Sequence, residues 1–279
     1  MKKIVFFGSS PFSTIVLEKI LHSSPLQLSC SAVITTPDKP VGRHLQLTPN
    51  PVKLLAQKNG IPVIENITPF PPLTAKPRAR EKLREGTKEG DIDKAVGLVA
   101  AYGRIIPQII LDKFNGQIYN IHPSLLPKYR GPSPLQQQIL DGLTQTGVTI
   151  IKLDGKMDHG PIVAVEKDVI LPEDNWITLG NRLFSLGADL FLSLVISTPH
   201  LVLKEQDHIL ATYTRKLTRQ SGFVPRDQFI PASLDRQFRA LHPWPGVWTL
   251  TPTGQRLKLV SLNPPVVQLE GQSPHPWPM

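Results

Sequence analysis

Short apolar runs alternate with amphipathic stretches through most of the chain. Runs rich in β-branched residues predict strands, whereas apolar residues that recur every three or four positions predict helices. The predicted strands cover residues 3–7, 29–35, 62–64, 95–100, 117–121, 148–152 and 162–169, and the predicted helices cover residues 11–21, 51–59, 134–140 and 176–195. Strands that alternate with helices are typical of parallel sheets, so we expect an α/β domain with a Rossmann-like, mostly parallel sheet and flanking helices.

Two of the predicted helices begin with a capping residue followed by a proline. Ser10-Pro11 and Asn50-Pro51 each place a side chain that can cap a helix before a proline, which is favourable at the first helical position. Residues 36–49, which precede the second pair, contain several prolines and are predicted to form a loop. The mixed-sign segment 76–89 is predicted to form the solvated face of a helix.

The pattern changes near residue 205. Short strand-like runs at 247–250 and 257–262 are separated by proline and glycine, which predicts a small β domain. We therefore expect a larger domain at 1–205 and a linker with a smaller domain at 206–279. The proline-rich tail from residue 263 is expected to be extended or mobile.

Composition narrows the possible environments of the protein. Cys30 is the only cysteine, which excludes an intramolecular disulfide. No run approaches the roughly 20 apolar residues that span a bilayer, so we expect a cytoplasmic protein without a membrane partner. The formal net charge of +9 favours polyanionic partners, although many basic enzymes bind no nucleic acid.

The densest group of chemically active residues ends a predicted strand. Asn120 and His122 are two positions apart, so their side chains emerge on the same face of that strand. Pro123 ends the strand at the carboxyl edge of the sheet, where open α/β folds bind ligands. An amide and an imidazole there can donate hydrogen bonds to a carbonyl oxygen that becomes negative during nucleophilic attack. Considered alone, such a pair is more often a capping amide and a surface histidine.

A second group lies in the loop between the predicted strands 148–152 and 162–169. This loop holds Asp154 and Asp158. A carboxylate beside a catalytic histidine can fix its tautomer and favour its protonated form. Asp154 is expected only to stabilise a turn. Because an amide and an imidazole already supply carbonyl activation, we expect no metal.

Together the two groups resemble a known family. The pattern N-x-H-x-S-L-L-P-x-x-R-G at 120–131, followed by T-G-V-T at 146–149 and an aspartate loop ending in G-P, is similar to the folate-dependent formyltransferase family. The resemblance implies Asn120, His122 and Asp158 as catalytic residues and N10-formyltetrahydrofolate as the formyl donor. His159 departs from the small residue that the family has after the aspartate. The folate pocket that the resemblance implies consists of Tyr102, Gly103, Arg104, Ile105, Ile106, Ser124, Leu125, Leu126 and Pro127.

The identity of the acceptor amine is indicated by a loop near the N-terminus. Residues 36–53 contain T-P-D-K-P-V-G-R and L-T-P-N-P-V-K. They are similar to the loop that family members acting on methionyl initiator tRNA insert into the acceptor stem. The resemblance implies phosphate contacts by Lys39, Arg43 and Lys53. Residues 206–216 are similar to the junction with those members' OB-like C-terminal domain, and we expect a shortened form of that domain here.

Three other functions remain open. A formyl-folate hydrolase would use the same three residues, but it would lack the loop at 36–53 and would release formate without an amine acceptor. A sugar-nucleotide N-formyltransferase would share the catalytic residues and the H-P-W-P-G turn at 242–246, but it would not need the loop at 36–53. A non-catalytic RNA-binding protein could use the same scaffold, but it would gain nothing from the three catalytic residues. We expect the protein to be a monomer.

Overall fold

A computed structural model describes most of the chain. The described residues are 2–23, 28–41, 46–65, 95–197 and 202–277. Within this part the chain divides into two compact units, neither of which is contiguous in sequence. The first consists of residues 1–130, 147–168 and 181–212, and the second of residues 131–146, 169–180 and 213–279. The domain boundary after residue 205 stays a prediction, and the predicted helix at 76–89 lies outside the described residues.

A seven-stranded sheet forms the framework of the first unit. Its strands are β1 (Lys2–Phe7), β2 (Leu28–Ile34), β5 (Val63–Ile64), β6 (Val96–Ala100), β7 (Ile118–His122), β8 (Gln145–Lys152) and β9 (Ile162–Val169). They lie in the order β5-β2-β1-β6-β7-β8-β9. The pairs from β5 to β7 are parallel, whereas β8 is antiparallel to β7. The predicted α/β fold with a mostly parallel sheet is confirmed.

The helices that join the parallel strands are α1 (Pro11–His22), α2 (Pro51–Lys58) and α3 (Gln108–Lys113), and α5 (Trp176–Ser197) follows β9. The starts of α1 and α2 agree with the predicted caps. Ser10 caps α1 and forms a capping box with Ser13. The side chain of Asn50 accepts from the backbone amides of Val52 and Lys53 at the start of α2.

The predicted loop at 36–49 contains a β-hairpin instead of irregular chain. Strands β3 (Lys39–Val41) and β4 (Gln46–Thr48) pair antiparallel, with Lys39 opposite Thr48. A two-stranded ribbon tolerates proline because each strand has an unpaired edge where a missing amide proton is not needed. Hydrogen bonds fix the base of this hairpin: the Asn50 amide donates to Oδ1 of Asp38, and the Asn50 side chain donates to the carbonyl oxygen of Thr36.

The two faces of the first unit's sheet are covered by apolar contacts. On one, the ring of Phe7 meets the edges of Tyr102 and Phe114, with centroid distances of 5.9 and 5.8 Å. Helix α5 packs closely against β7, since a Cβ added to Gly187 would lie 2.5 Å from the side chain of Ile121. This glycine therefore permits the close approach of helix and strand.

Residues Trp176–Ile196 of α5 are long and apolar enough to cross a membrane by length and composition. The expectation from the sequence concerned an uninterrupted apolar run, whereas this segment contains Arg182 and Asp189. In the fold, 44% of the 18-residue window that meets this condition is buried, and Leu183 and Phe191 of the helix lie in the core. Its charged residues form ion pairs with the same unit: Arg182 Nε lies 2.8 Å from Asp168, and Asp189 pairs with Lys19.

The second unit contains a small antiparallel sheet. Its strands are β10 (Trp248–Leu250), β11 (Arg256–Leu262), β12 (Pro265–Leu269) and β13 (His275–Pro276), which pair in chain order. Helices α4 (Pro134–Leu140) and α6 (Asp235–Leu241) pack against each other in the same unit. The small C-terminal β domain is confirmed, and its four strands are one fewer than those of an OB-fold.

The tail after residue 263 belongs to this sheet. Val267 of β12 is fully buried and pairs with Leu259 of β11, which is also buried. The tail is therefore extended, which is one of the two predicted alternatives, and its alternating apolar residues join it to the sheet.

Candidate active site

Strand β7 directs Asn120 and His122 away from helix α5. Successive side chains of a strand point to opposite faces, and Ile121 lies against Gly187 of α5. Asn120 and His122 therefore share the other face at the carboxyl end of the strand. His122 is buried and Asn120 is half-buried, so neither has the exposure of an ordinary surface residue.

The loop between β8 and β9 brings Asp158 to the same place. Oδ1 of Asp158 lies 3.4 Å from Nδ2 of Asn120, which donates to it, and 3.6 Å from Nδ1 of His122. Asp158 has a φ of +49°, in the left-handed region that non-glycine residues rarely adopt. Such strained residues gather at functional sites. The three residues singled out from the sequence are thus neighbours, and their catalytic roles stay predictions.

The ring of His122 is held in one orientation. Its Nε2 lies 2.9 Å from the carbonyl oxygen of Tyr129. Because a carbonyl oxygen can only accept, Nε2 carries a proton and donates it. Nδ1, which faces Asp158, is therefore the ring nitrogen that can gain or lose a proton. The His122 and Asp158 side chains are only 4% and 14% exposed, so solvent screens their interaction weakly.

This arrangement can stabilise opposite charges at adjacent points. The Asn120 amide and a protonated His122 Nδ1 can donate to an oxygen that becomes negative. The Asp158 carboxylate stabilises positive charge on the imidazole and can accept a proton. These are the elements needed for transfer of an acyl group to an amine.

The segment after β7 is fixed by β8. Oγ1 of Thr149 donates to the carbonyl oxygen of Ser124 at 2.7 Å and accepts from the amide of Leu126 at 3.1 Å. Ser124 is fully buried and its Oγ donates to the carbonyl oxygen of Lys128. Leu125 and Pro127 are half-buried. This segment is a rigid wall beside His122, and its contact with folate stays a prediction.

The turn after β6 is divided between core and surface. Tyr102 and Ile106 are buried in the cluster around Phe7, and burial raises the pKa of the Tyr102 hydroxyl. Gly103, Arg104 and Ile105 are exposed, and Ile105 is 79% exposed. Because β6 runs parallel to β7, this turn leaves the sheet at the edge where His122 lies. Of the five residues predicted here, these three form surface available to a ligand.

Two of the predicted phosphate contacts, Lys39 and Lys53, belong to β3 and α2. Lys39 begins β3, and Arg43 lies outside the described residues. Nζ of Lys53 lies 2.8 Å from Oε1 of Glu65 and 2.9 Å from Oδ2 of Asp38. Hydrogen bonds to Glu65 and Asp38 raise the pKa of Lys53. Lys53 therefore stays a predicted phosphate contact whose ammonium group is already bound by two carboxylates.

Residues that the sequence did not single out support the Asp158 loop. Arg130 and Gln206 are 1% and 4% exposed, and Nε and Nη2 of Arg130 donate to Oε1 of Gln206 at 3.1 and 2.6 Å. Nε2 of Gln206 donates to the carbonyl oxygens of Asp158 and Gly160 at 2.9 and 2.7 Å. The R-G pair of the motif contains Arg130, but no sequence spacing connects it with a glutamine 76 residues later.

His159, the unusual residue after the aspartate, is accommodated by stacking. Its ring lies parallel to that of His208, with centroids 4.0 Å apart, and its Nδ1 lies 2.6 Å from Oδ2 of Asp154. Asp154 also accepts from the amide of Lys156, as expected for a residue that stabilises a turn. In the described part of the chain, no group of three or more His, Cys, Asp or Glu side chains is arranged to hold a metal ion.

The chain belongs to the formyl transferase family, whose model matches residues 2–195. Methionyl-tRNA formyltransferase of Roseiflexus castenholzii is 38% identical over 266 residues, which cover 93% of this chain and 79% of the relative. An enzyme of the same name from Thermus thermophilus is 36% identical over 262 residues, which cover 94% of this chain and 80% of the relative.

Solved structures agree with this assignment. Phosphoribosylglycinamide formyltransferase from Bacillus halodurans is 28% identical, with a TM-score of 0.54 over 71% of this chain and 97% of that chain. An N-formyltransferase from Helicobacter canadensis has a TM-score of 0.62 over 93% of this chain and 88% of that chain. At 21% identity, the second comparison supports the fold alone.

Proposed function

We propose that this protein transfers a formyl group from N10-formyltetrahydrofolate to the amino group of methionyl initiator tRNA. Relatives 36–38% identical over most of the chain are named methionyl-tRNA formyltransferase. The observation that carries the proposal is the convergence of Asn120, His122 and Asp158 at the end of β7. An enzyme of translation initiation works in the cytoplasm, so a cytoplasmic location follows from the proposal.

Asn120, His122 and Asp158 each have a part in the proposed reaction. When bound, the folate would supply the formyl carbon. As the neutral amine forms its bond to this carbon, the bond from the carbon to N10 would break, and the proton lost by the amine would be balanced by one gained at N10. Asn120 Nδ2 and His122 Nδ1 donate to the formyl oxygen as negative charge develops on it. Asp158 stabilises the protonated imidazole and helps to remove the excess proton of the amine through water.

The residues around His122 fit a flat donor with an apolar ring and polar edges. The exposed side chain of Ile105 offers apolar surface, and Gly103 has no atom within 4 Å of a Cβ added to it. Leu125 and Pro127 are half-buried on the wall that follows β7. The Helicobacter canadensis structure is a complex with folinic acid, which is consistent with a folate-type donor in this fold.

The hairpin formed by β3 and β4 supports tRNA as the acceptor. Lys39 begins its first strand, Arg43 falls in the sequence between the two strands, and the net charge of +9 favours a polyanionic substrate. Lys53 lies at its base, where it bridges Asp38 and Glu65. This bridge joins the base of the hairpin to α2 and to the residue that follows β5.

An acceptor comparison tests the proposal. The protein is incubated with N10-formyltetrahydrofolate and either methionyl initiator tRNA or amino-sugar nucleotides, and the formylated product is measured. We expect formyl-methionyl-tRNA. Formylation of the sugar nucleotide alone would identify a sugar-nucleotide N-formyltransferase, and tRNA binding without formylation would identify a non-catalytic RNA-binding protein.

Salt dependence tests the contact of the hairpin with tRNA. Contacts to phosphate release counterions, so the tRNA dissociation constant should rise steeply with salt, and Arg43→Ala should reduce the slope by about one unit. Folate binding is the control and should not change. Equal slopes and equal tRNA turnover for both proteins would exclude Arg43 from the interface.

A further inference from the structure

A buried glutamine links the Asp158 loop to the rest of the candidate site. We propose that Gln206 is a positioning residue that holds Asp158 at its distance from His122. It does so by donating both amide protons to the backbone carbonyls on either side of His159. The inference rests on the proposed function, because it concerns the geometry of the same formyl-transfer site.

The Asp158 loop has a backbone that needs external support. Asp158 has a φ of +49°, which is unfavourable for a residue with a side chain. A Cβ added to Gly160 would lie 1.8 Å from the carbonyl oxygen of Lys152, so the loop returns tightly against the end of β8. The direction of the Asp158 side chain follows from this backbone conformation. A contact that fixes the Asp158 and Gly160 carbonyls therefore fixes the carboxylate as well.

The orientation of the Gln206 amide is determined by its partners. Arginine only donates hydrogen bonds, so the atom facing Arg130 must be the amide oxygen. Carbonyl oxygens only accept, so the atom facing Asp158 and Gly160 must be the amide nitrogen. Glutamine provides one acceptor and two donors in this arrangement. A carboxylate of the same size could bind Arg130 but could not donate to the loop.

The same short segment orients His122. The carbonyl oxygen of Tyr129 accepts from Nε2 of His122, and the next residue, Arg130, binds Gln206. Both backbone amides of this segment donate to Thr212, to its side chain from Tyr129 and to its carbonyl from Arg130. One segment therefore supports both members of the His122–Asp158 pair. The separation of 3.6 Å between them depends on the connection through Gln206.

The decisive variant is Gln206→Glu. It keeps the size of the side chain and the contact with Arg130, but it replaces two donor protons with an oxygen that repels both carbonyls. We expect kcat to fall on the order of tenfold to a hundredfold, because a displacement of about 1 Å in a catalytic group has an effect of this size. The KM values for the formyl donor and for tRNA should change little, since Gln206 is only 4% exposed and both ends of its amide bind protein groups. The matched control is Glu205→Gln, the reverse change at the exposed neighbouring residue.

A double-mutant cycle separates positioning from a general structural effect. If Gln206 acts through the Asp158 carboxylate, Gln206→Glu should lower kcat by less than about twofold in an Asp158→Asn background. A purely structural effect would lower kcat by the same factor in both backgrounds. The melting temperature of each variant shows whether it is folded, and Gln206→Met replaces Gln206→Glu if the latter does not fold.

Hydrogen exchange tests the proposal without reference to the reaction. Exchange of the backbone amides at 155–160 should be at least about tenfold faster in Gln206→Glu than in wild type, and unchanged in Glu205→Gln. If wild type formylated no tRNA, the proposed function would fail and the exchange rates alone would decide the role of Gln206. Unchanged exchange, or equal losses of kcat in both backgrounds, would overturn the proposal.

Discussion

Replacing Asp158 with asparagine removes a negative charge from the candidate site with almost no change in side-chain size. Oδ1 of Asp158 lies 3.6 Å from Nδ1 of His122, and both side chains are mostly buried. At this distance and an effective dielectric constant of about 20, the Coulomb attraction between two opposite unit charges is roughly 4–5 kcal/mol. The asparagine oxygen retains part of this attraction. We therefore expect a net loss of about 2.7–4 kcal/mol in transition-state stabilisation, equivalent to roughly 10²–10³ in rate.

The measurement is single-turnover formylation of methionyl-tRNA at saturating formyl donor, which reports on the chemical step. Steady-state KM values and the melting temperature show whether binding and folding are retained. Asp154→Asn is the matched control, because it changes the same residue type in the same loop. In the wild-type protein the Asp154 carboxylate pairs with His159 instead of His122. We expect this control to lower the rate by less than about fivefold, as for other partly exposed ion pairs.

Two results would contradict this reasoning. A single-turnover rate of Asp158→Asn within about tenfold of wild type would mean that the carboxylate does not stabilise the reacting imidazole. Equal losses for Asp158→Asn and Asp154→Asn would mean that the loop, and not the charge next to His122, determines the rate.

Three further variants test other parts of the molecule. Asn120→Ala should lower kcat by about 10²–10³ with an unchanged melting temperature, and near-normal turnover would remove the amide from the site. Gly160→Ala should reduce the free energy of unfolding in urea by at least about 2 kcal/mol, because the new Cβ would overlap the Lys152 carbonyl oxygen; an unchanged midpoint would contradict this. Burial, reinforced by the Lys258 ammonium, lowers the pKa of His242. As the pH falls, His242 therefore gains its proton in the unfolded chain before it does so in the folded protein. The free energy of unfolding should decrease once the pH is below 6.5, the ordinary pKa of histidine. The melting temperature should therefore fall more between about pH 7 and pH 5 in wild type than in His242→Phe, and equal slopes would show that His242 has no part in it.

Local sequence patterns predicted most elements of the first unit and helix α4 of the second. Strand β9 and helix α4 have the predicted bounds, and Ser10 and Asn50 cap the helices that they were expected to cap. Each of these elements is specified by neighbouring residues. The hairpin at 39–48 was missed because several prolines suggested irregular chain, whereas proline is acceptable in a two-stranded ribbon. The order of the strands and the antiparallel direction of β8 depend on long-range packing that periodicity does not reveal.

In the candidate site too, the sequence identified some groups and not others: it identified the side chains but not the backbone groups that orient them. Asn120, His122 and Asp158 could be found from the sequence because the chemistry depends on their side chains. The groups that orient them include the carbonyl oxygens of Tyr129 and Asp158, which every residue type possesses. A sequence motif cannot identify a residue by a group that all residues share. Such positioning becomes visible only when the partner is a side chain brought from far along the chain, and Gln206, 48 residues after Asp158, is that partner here.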